Sequence, residues 1–258
     1  MIRRALGRTG LSVSPLGLGT VKFGRNESVK YPEPFGLPSD RDLARLLARA
    51  GSLGIDVLDT APAYGESEAR IGRLLKGRRH EWTLCTKVGE EFENGVSRFD
   101  FSAEHVRFSV ERSLTRLATD RLDLVLVHSD GNDLAILRAG EALGTLGDLK
   151  REGSIRAFGF SHKTLEGGLL AVEHCDVVMT TFNLEDASML PVIRAAAARE
   201  CGVMIKKVFA SGHAATAEAR RRSLAVAAAE PGVSCIVIGT VDAGHLADNV
   251  AVFSSIRV

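Results

Sequence analysis

Only four cysteines occur in the 258 residues, and Cys85, Cys175, Cys201 and Cys235 form no CxxC pair. That scatter points to reduced core thiols in a cytoplasmic protein and away from a disulfide framework or a zinc site. Net charge is almost absent: 33 Lys and Arg against 32 Asp and Glu leave +1. A chain so balanced has no electrostatic footprint for nucleic acid or an anionic membrane. No apolar run is long enough to span a bilayer, and the opening MIRRALGRTG lacks the apolar core of a signal peptide. Low-complexity segments and interdomain linkers are also missing. Neither HxH nor HExxH occurs, which argues against a metal-dependent hydrolase built on Asp59 and His128. The glycines of GLGT at 17–20 do not make a GxGxxG fingerprint, which counts against a Rossmann domain.

What is present is a regular alternation. Short apolar runs at 56–59, 83–87, 122–128, 155–161, 177–180, 202–206 and 235–239 read as strands. Helical spacing separates them at 67–75, 103–117, 133–152, 164–173, 189–200, 216–229 and 243–252. Residues 15–20 form a further glycine-rich strand, and Ser39 caps a helix carrying Leu43, Leu46, Leu47, Ala50 and Leu53. Runs such as LDLVLV and CIVI are apolar almost throughout, as strands buried on both faces should be. Eight strand–helix pairs in this length predict an α/β fold: a single eight-stranded parallel (β/α)8 TIM barrel spanning 1–258 as one domain. Residues 1–6 and 11–14 flank two glycines and predict an N-terminal β-hairpin. The polar segment 22–38, with three prolines, is long enough to be a functional loop.

In such barrels chemistry gathers where strands end. Those ends carry Asp59, Lys87, His128, Ser161 and Thr240, with Tyr64 on the loop after Asp59. Each has a plain structural alternative: a loop cap, a strand-end lysine reaching solvent, a core histidine, a phenol in a surface notch. Together an acid, an ammonium, an imidazole and a phenol suit carbonyl reduction. Lowering a tyrosine by two pKa units takes about 2.7 kcal/mol. A lysine at ~4 Å supplies on the order of 4 kcal/mol at an effective dielectric near 20, so one cation is expected to acidify Tyr64. Asp59 would orient Lys87, and His128 would donate a hydrogen bond to the carbonyl oxygen. No side chain provides a hydride, so the chemistry calls for a nicotinamide cofactor.

The motif DTAPAYGESEARIG resembles the signature of the aldo-keto reductases. RLATDRLDLVLVH and LKREGSIRAFGFS resemble that family's fourth- and fifth-strand segments, and LGRTGLSVSPLGLGT and VIGTVDAGHLADNV its two ends. The resemblance implies an NAD(P)H-dependent enzyme reducing an aldehyde or ketone to an alcohol. Asp59, Tyr64, Lys87 and His128 match its catalytic residues, with Tyr64 as proton donor. It implies cofactor contacts at Thr20, Val21, Asp59, Ser161, His162, Met179, Lys207, Phe209, Gly239, Thr240, Asp242, His245 and Asn249, and no metal. Phe23, Tyr64, His128 and Phe92 are the expected substrate-pocket residues, with Tyr31, Phe99 and Phe101 as further aromatics on the loops 22–38 and 90–101. NADP(H) is expected ahead of NAD(H).

The pattern departs from the family in several places. His162 replaces the usual Asn, and Met179 replaces a glutamine that binds the carboxamide. Lys206, Lys207 and Val208 precede Phe209 where an aromatic usually stacks on the nicotinamide. Gly239 and His245 stand where cations bind the 2′-phosphate. Asp242 either favours NADH through the ribose or caps the last helix. A chain stopping at Val258 predicts an open mouth and a broad carbonyl preference. The expected partner is a small carbonyl compound, with neither nucleic acid nor membrane, the protein being a monomer or small homo-oligomer. The altered cofactor positions leave a second reading: a cofactor-binding regulatory module with little turnover.

Overall fold

The computed structural model describes residues 1–29, 34–212 and 216–256. Tyr31 lies outside them. The chain opens with a two-stranded hairpin, β1 (Arg4–Ala5) and β2 (Ser12–Val13), and enters the barrel with β3 (Leu16–Gly19). A one-turn helix α1 (Val21–Gly24) and the helix α2 (Asp40–Ser52) lead to β4 (Val57–Asp59). Ser39 caps α2, its hydroxyl accepting from the Asp42 N–H at 3.2 Å. The helix α3 (Ser67–Leu74) then connects to β5 (Thr83–Val88), which is followed by a hairpin, β6 (Glu90–Glu93) and β7 (Val96–Phe99). The helix α4 (Ala103–Arg116) leads to β8 (Leu122–His128), the helices α5 (Asp133–Ala139) and α6 (Glu141–Arg151) to β9 (Ile155–Ser161), and α7 (Leu165–His174) to β10 (Val177–Thr181). The remaining elements are α8 (Leu190–Ala198), β11 (Gly202–Lys206), α9 (Ala217–Ala229), β12 (Val233–Gly239) and α10 (Ala243–Ser254).

Strands β3, β4, β5, β8, β9, β10, β11 and β12 pair in parallel in that order, and β12 returns to β3 to close the barrel. The alternation read from sequence therefore gives the eight-stranded parallel barrel. Closure leaves no sheet edge unpaired. Inward-facing Val57, Cys85, Leu124, Leu126, Val177, Met179, Met204 and Cys235 form one cluster with Leu6, Leu11 and Val13 of the first hairpin, which thus fills the barrel's floor. Outward-facing strand residues meet the helices in a second, larger cluster that includes Phe23, Leu46, Trp82, Leu146 and Phe160. All four cysteines are buried free thiols.

Two local departures matter. The helix expected over 133–152 breaks at Gly140, whose left-handed φ of 72° ends α5 and starts α6. The β6–β7 hairpin was not anticipated, although Asn94 and Gly95, both at positive φ, supply the strongest short-range hairpin signal known. Among the described residues no helix is long and apolar enough to cross a membrane, and no cluster of His, Cys, Asp and Glu is arranged to hold a metal.

Candidate active site

The C-terminal ends of β4, β5 and β8 bring Asp59, Lys87 and His128 to one rim, and the loop after β4 adds Tyr64. Lys87 Nζ donates to Asp59 Oδ1 at 2.6 Å and to the carbonyl of Thr60 at 2.8 Å, and is almost wholly buried. The same ammonium lies 4.8 Å from the centre of the Tyr64 ring, and the Tyr64 and His128 rings meet edge to face at 6.3 Å. Gly24 fixes this loop from the side: a Cβ there would stand 2.4 Å from the Tyr64 carbonyl oxygen and 2.3 Å from the Ser67 amide. Only glycine permits α1 to lie so close.

The electrostatics correct one expectation. Burial drives the Tyr64 phenol up, Lys87 pulls it down and Asp59 pushes it up again, for a net rise to about 12. The single ammonium does not acidify the phenol, because its charge is already compensated by Asp59 at 2.6 Å and the phenol is desolvated. Burial also opposes the charge on Lys87, but Asp59 and Tyr64 outweigh it and hold the lysine firmly protonated. His128 is lowered, first by burial, with Lys87 and Lys206 adding to the fall and Glu90 opposing it.

A cleft of about 220 Å³ opens beside Tyr64 and Asp59, lined also by Thr20, Val21, Lys206, Lys207, Phe209 and Gly239. A second, of about 240 Å³, continues from Phe209, Gly212 and Gly239 to Thr240, His245, Asn249 and Arg220. The two form one trough from the barrel mouth to the start of α10. A larger cleft of about 660 Å³ lies at the other end of the barrel, where Arg79 and Arg156 already pair with Asp123 at 2.8 and 3.2 Å.

The structure brings together only some of the residues singled out in the sequence. Thr20 is buried beneath the trough, donating to the Asp59 carbonyl at 3.0 Å. Ser161 is buried, and Lys206 Nζ donates to its hydroxyl and to the His162 carbonyl, both at 2.8 Å. Burial, with Lys207, Lys87 and Lys163 adding to it, lowers Lys206 to about 7. Lys207, by contrast, is exposed. Asp242 is the N-cap of α10, accepting from the His245 N–H at 2.7 Å, so its oxygen is engaged by the helix. Three residues do not face the trough. Phe23 is no pocket wall but core, fully buried under the barrel's outer layer. The His162 ring packs against α7, with Nδ1 3.0 Å from the Thr164 carbonyl oxygen and burial lowering it to about 4. Met179 joins the apolar barrel interior. Phe92 sits on β6 with the Arg25 guanidinium 3.4 Å from its ring centre, so that face is covered. Glu90 and Arg220 were not assigned roles from sequence. Glu90 comes within reach of His128, 38 positions away, only through the fold.

A sequence model of the Aldo/keto reductase family matches residues 15–222. D-arabinose 1-dehydrogenase of Saccharomyces cerevisiae is 36% identical over 68% of this chain and 51% of its own length. NADH-specific methylglyoxal reductase of Escherichia coli is 29% identical over 73% of this chain and 62% of its own. The chain thus spans about half to two thirds of the curated relatives it matches. A crystal structure from Pseudomonas aeruginosa, classed with the aldo-keto reductases, is 52% identical over 99% of this chain and 96% of that one, with a TM-score of 0.91.

Proposed function

The chain belongs to the aldo/keto reductase family, and on that premise we propose that it is an NAD(P)H-dependent oxidoreductase converting an aldehyde or ketone to an alcohol. The observation carrying this reading is the convergence of Asp59, Lys87, Tyr64 and His128 on one end of a trough made of two adjoining clefts. When bound, the nicotinamide supplies the hydride that the carbonyl carbon receives. Tyr64 gives the proton to the carbonyl oxygen. A phenol at about 12 is a competent donor here, because the forming alkoxide belongs to an alcohol about as weakly acidic as water, near 15.7. Lys87, held by Asp59, keeps a positive charge beside the phenolate left behind. The residues present fit the cofactor. Lys206 has no acidic partner within ion-pair reach among the described residues and lies where Ser161 and the His162 carbonyl are also at hand. It can donate to the carboxamide in place of the glutamine replaced by Met179. The trough's far end offers Arg220 and His245 to a 2′-phosphate, which supports NADP(H) ahead of NAD(H). The NADH-specific relative marks the alternative.

The substrate is a small carbonyl compound, and residues 1–258 act as one barrel domain in the cytoplasm. The test is cofactor oxidation by the purified chain across a panel of aldehydes and ketones. Tyr64→Phe should abolish turnover while cofactor fluorescence still reports binding. Arg220→Ala should weaken NADPH and leave NADH unchanged. Binding without turnover on any substrate would move the chain to the regulatory alternative.

A further inference from the structure

His128 is not alone at the mouth. The β6–β7 hairpin folds over the rim and sets Glu90 Oε2 2.8 Å from His128 Nδ1. The other Glu90 oxygen accepts from the Ser97 hydroxyl at 2.7 Å, with the Arg25 guanidinium 3.7 Å away. The contact with Nδ1 is off the line of a well-formed hydrogen bond, and Nδ1 has no other partner and no access to solvent. His128 Nε2 has no hydrogen-bond partner among the described residues and is not sealed off from solvent, so it is the nitrogen available to a ligand.

A bare Nδ1 would set its partial negative charge 2.8 Å from a carboxylate oxygen, so the contact favours a proton on one of these two atoms. Glu90 does not carry it. Burial works against its charge, but His128, Ser97 and Arg25 overcome that and hold it down to about 2. The proton therefore resides on Nδ1. We propose that Glu90 is a positioning residue for His128, fixing the ring proton on Nδ1 so that Nε2 faces the mouth as a hydrogen-bond acceptor. This rests on reading His128 as part of the reacting site. Carboxylates oriented beside a histidine commonly fix its tautomer in this way.

The consequence concerns which form of the substrate is held. A neutral His128 accepts a hydrogen bond from an alcohol hydroxyl at Nε2 and gives none to a carbonyl oxygen. On this proposal Tyr64 is the one of the four that donates to the carbonyl, and His128 takes the acceptor role in place of the donor role expected of it. The ring gains Nε2–H only on a second protonation. The groups facing it set that equilibrium: Glu90 favours the imidazolium, while Lys87 from β5 and Lys206 from β11 oppose it. Asp59 offsets Lys87, Arg25 offsets Glu90, and the Tyr64 phenol is neutral.

The test is nitrogen-15 NMR of histidine-labelled full-length protein, assigned with His128→Asn. At pH 7.5 the parent should show His128 protonated at Nδ1 and bare at Nε2. Glu90→Ala should shift the population towards the Nε2–H form, with kcat/KM falling about 10-fold for oxidation of the alcohol, whose hydroxyl the bare Nε2 would accept from. Glu90→Gln still offers an oxygen to Nδ1–H, so the tautomer should persist while the ring's ionisation moves to lower pH. A purely structural glutamate would move neither signal. A parent protein carrying Nε2–H at pH 7.5, or an unchanged tautomer in Glu90→Ala, overturns the proposal. Full turnover in His128→Asn overturns the underlying functional reading instead, and leaves the NMR result standing on its own.

Discussion

Lys206→Met should make the protein more stable and worse at its task. Moving an ammonium from 10.5 to about 7 disfavours its charged form by about 5 kcal/mol. Solvent reaching the part-buried side chain trims this to about 2–3 kcal/mol. Methionine leaves the Ser161 hydroxyl and the His162 carbonyl without their donor, which returns about 1 kcal/mol. The net expectation is a gain of about 1–2 kcal/mol at pH 6. The sign with pH follows from the lowered value. Below about 7 the lysine is charged both folded and unfolded, and the folded state carries the whole penalty. Between about 7 and 10.5 the folded lysine is neutral while the unfolded one is charged, so the penalty shrinks as pH rises. Guanidinium melts of both proteins at pH 6, 8 and 10 should therefore show a stability difference that narrows upward. In parallel, fluorescence titration should show weaker cofactor binding. A variant less stable than its parent at pH 6, or a difference flat across this range, would refute the reasoning.

Tyr64→Phe isolates chemistry from folding. Lys87 keeps its bonds to Asp59 and Thr60 without the phenol, so melting should move by about 1 kcal/mol or less while turnover falls about 10²–10⁴-fold. Asp133 ties the loop after β8 to the loop after β9. It accepts from Ser129 and from the Lys163 N–H, the Thr164 N–H and the Thr164 hydroxyl, the last three at 2.9, 2.6 and 2.7 Å. Burial raises its pKa, and these donors lower it further than burial raises it. Its stabilisation is full above the ordinary value near 3.9 and drains away as pH falls through the lower folded value. Asp133→Ala should cost about 2–4 kcal/mol at pH 7 and less as pH falls below the ordinary carboxylate value, as denaturant melts would show. Gly24→Ala must displace the Tyr64 loop, so steady-state assays should show kcat falling without loss of the circular-dichroism spectrum.

The barrel was legible because its strands announce themselves. LDLVLV, apart from Asp123, and CIVI are apolar throughout, as strands covered on both faces should be. The convergence of Asp59, Lys87 and His128 was legible for the same reason, since each ends such a run. Burial was not. Phe23 looked like a loop aromatic, and nothing in its neighbours shows that α1 drives it into the core. The same blindness produced an acidified Tyr64, because a pairwise attraction can be estimated from sequence and desolvation cannot. Asn94-Gly95 did carry a usable hairpin signal. Its importance appears only when the fold carries Glu90, at the base of that hairpin, to His128.

Cys85, Cys175, Cys201 and Cys235 are all sealed inside. Burial raises every one of these thiols, so none offers a thiolate to a maleimide under native conditions. A single cysteine introduced at Asn94, on the tip of the β6–β7 turn, would then be the one labelling position in the native protein. A dye placed there would report on the surroundings of the hairpin as ligands come and go.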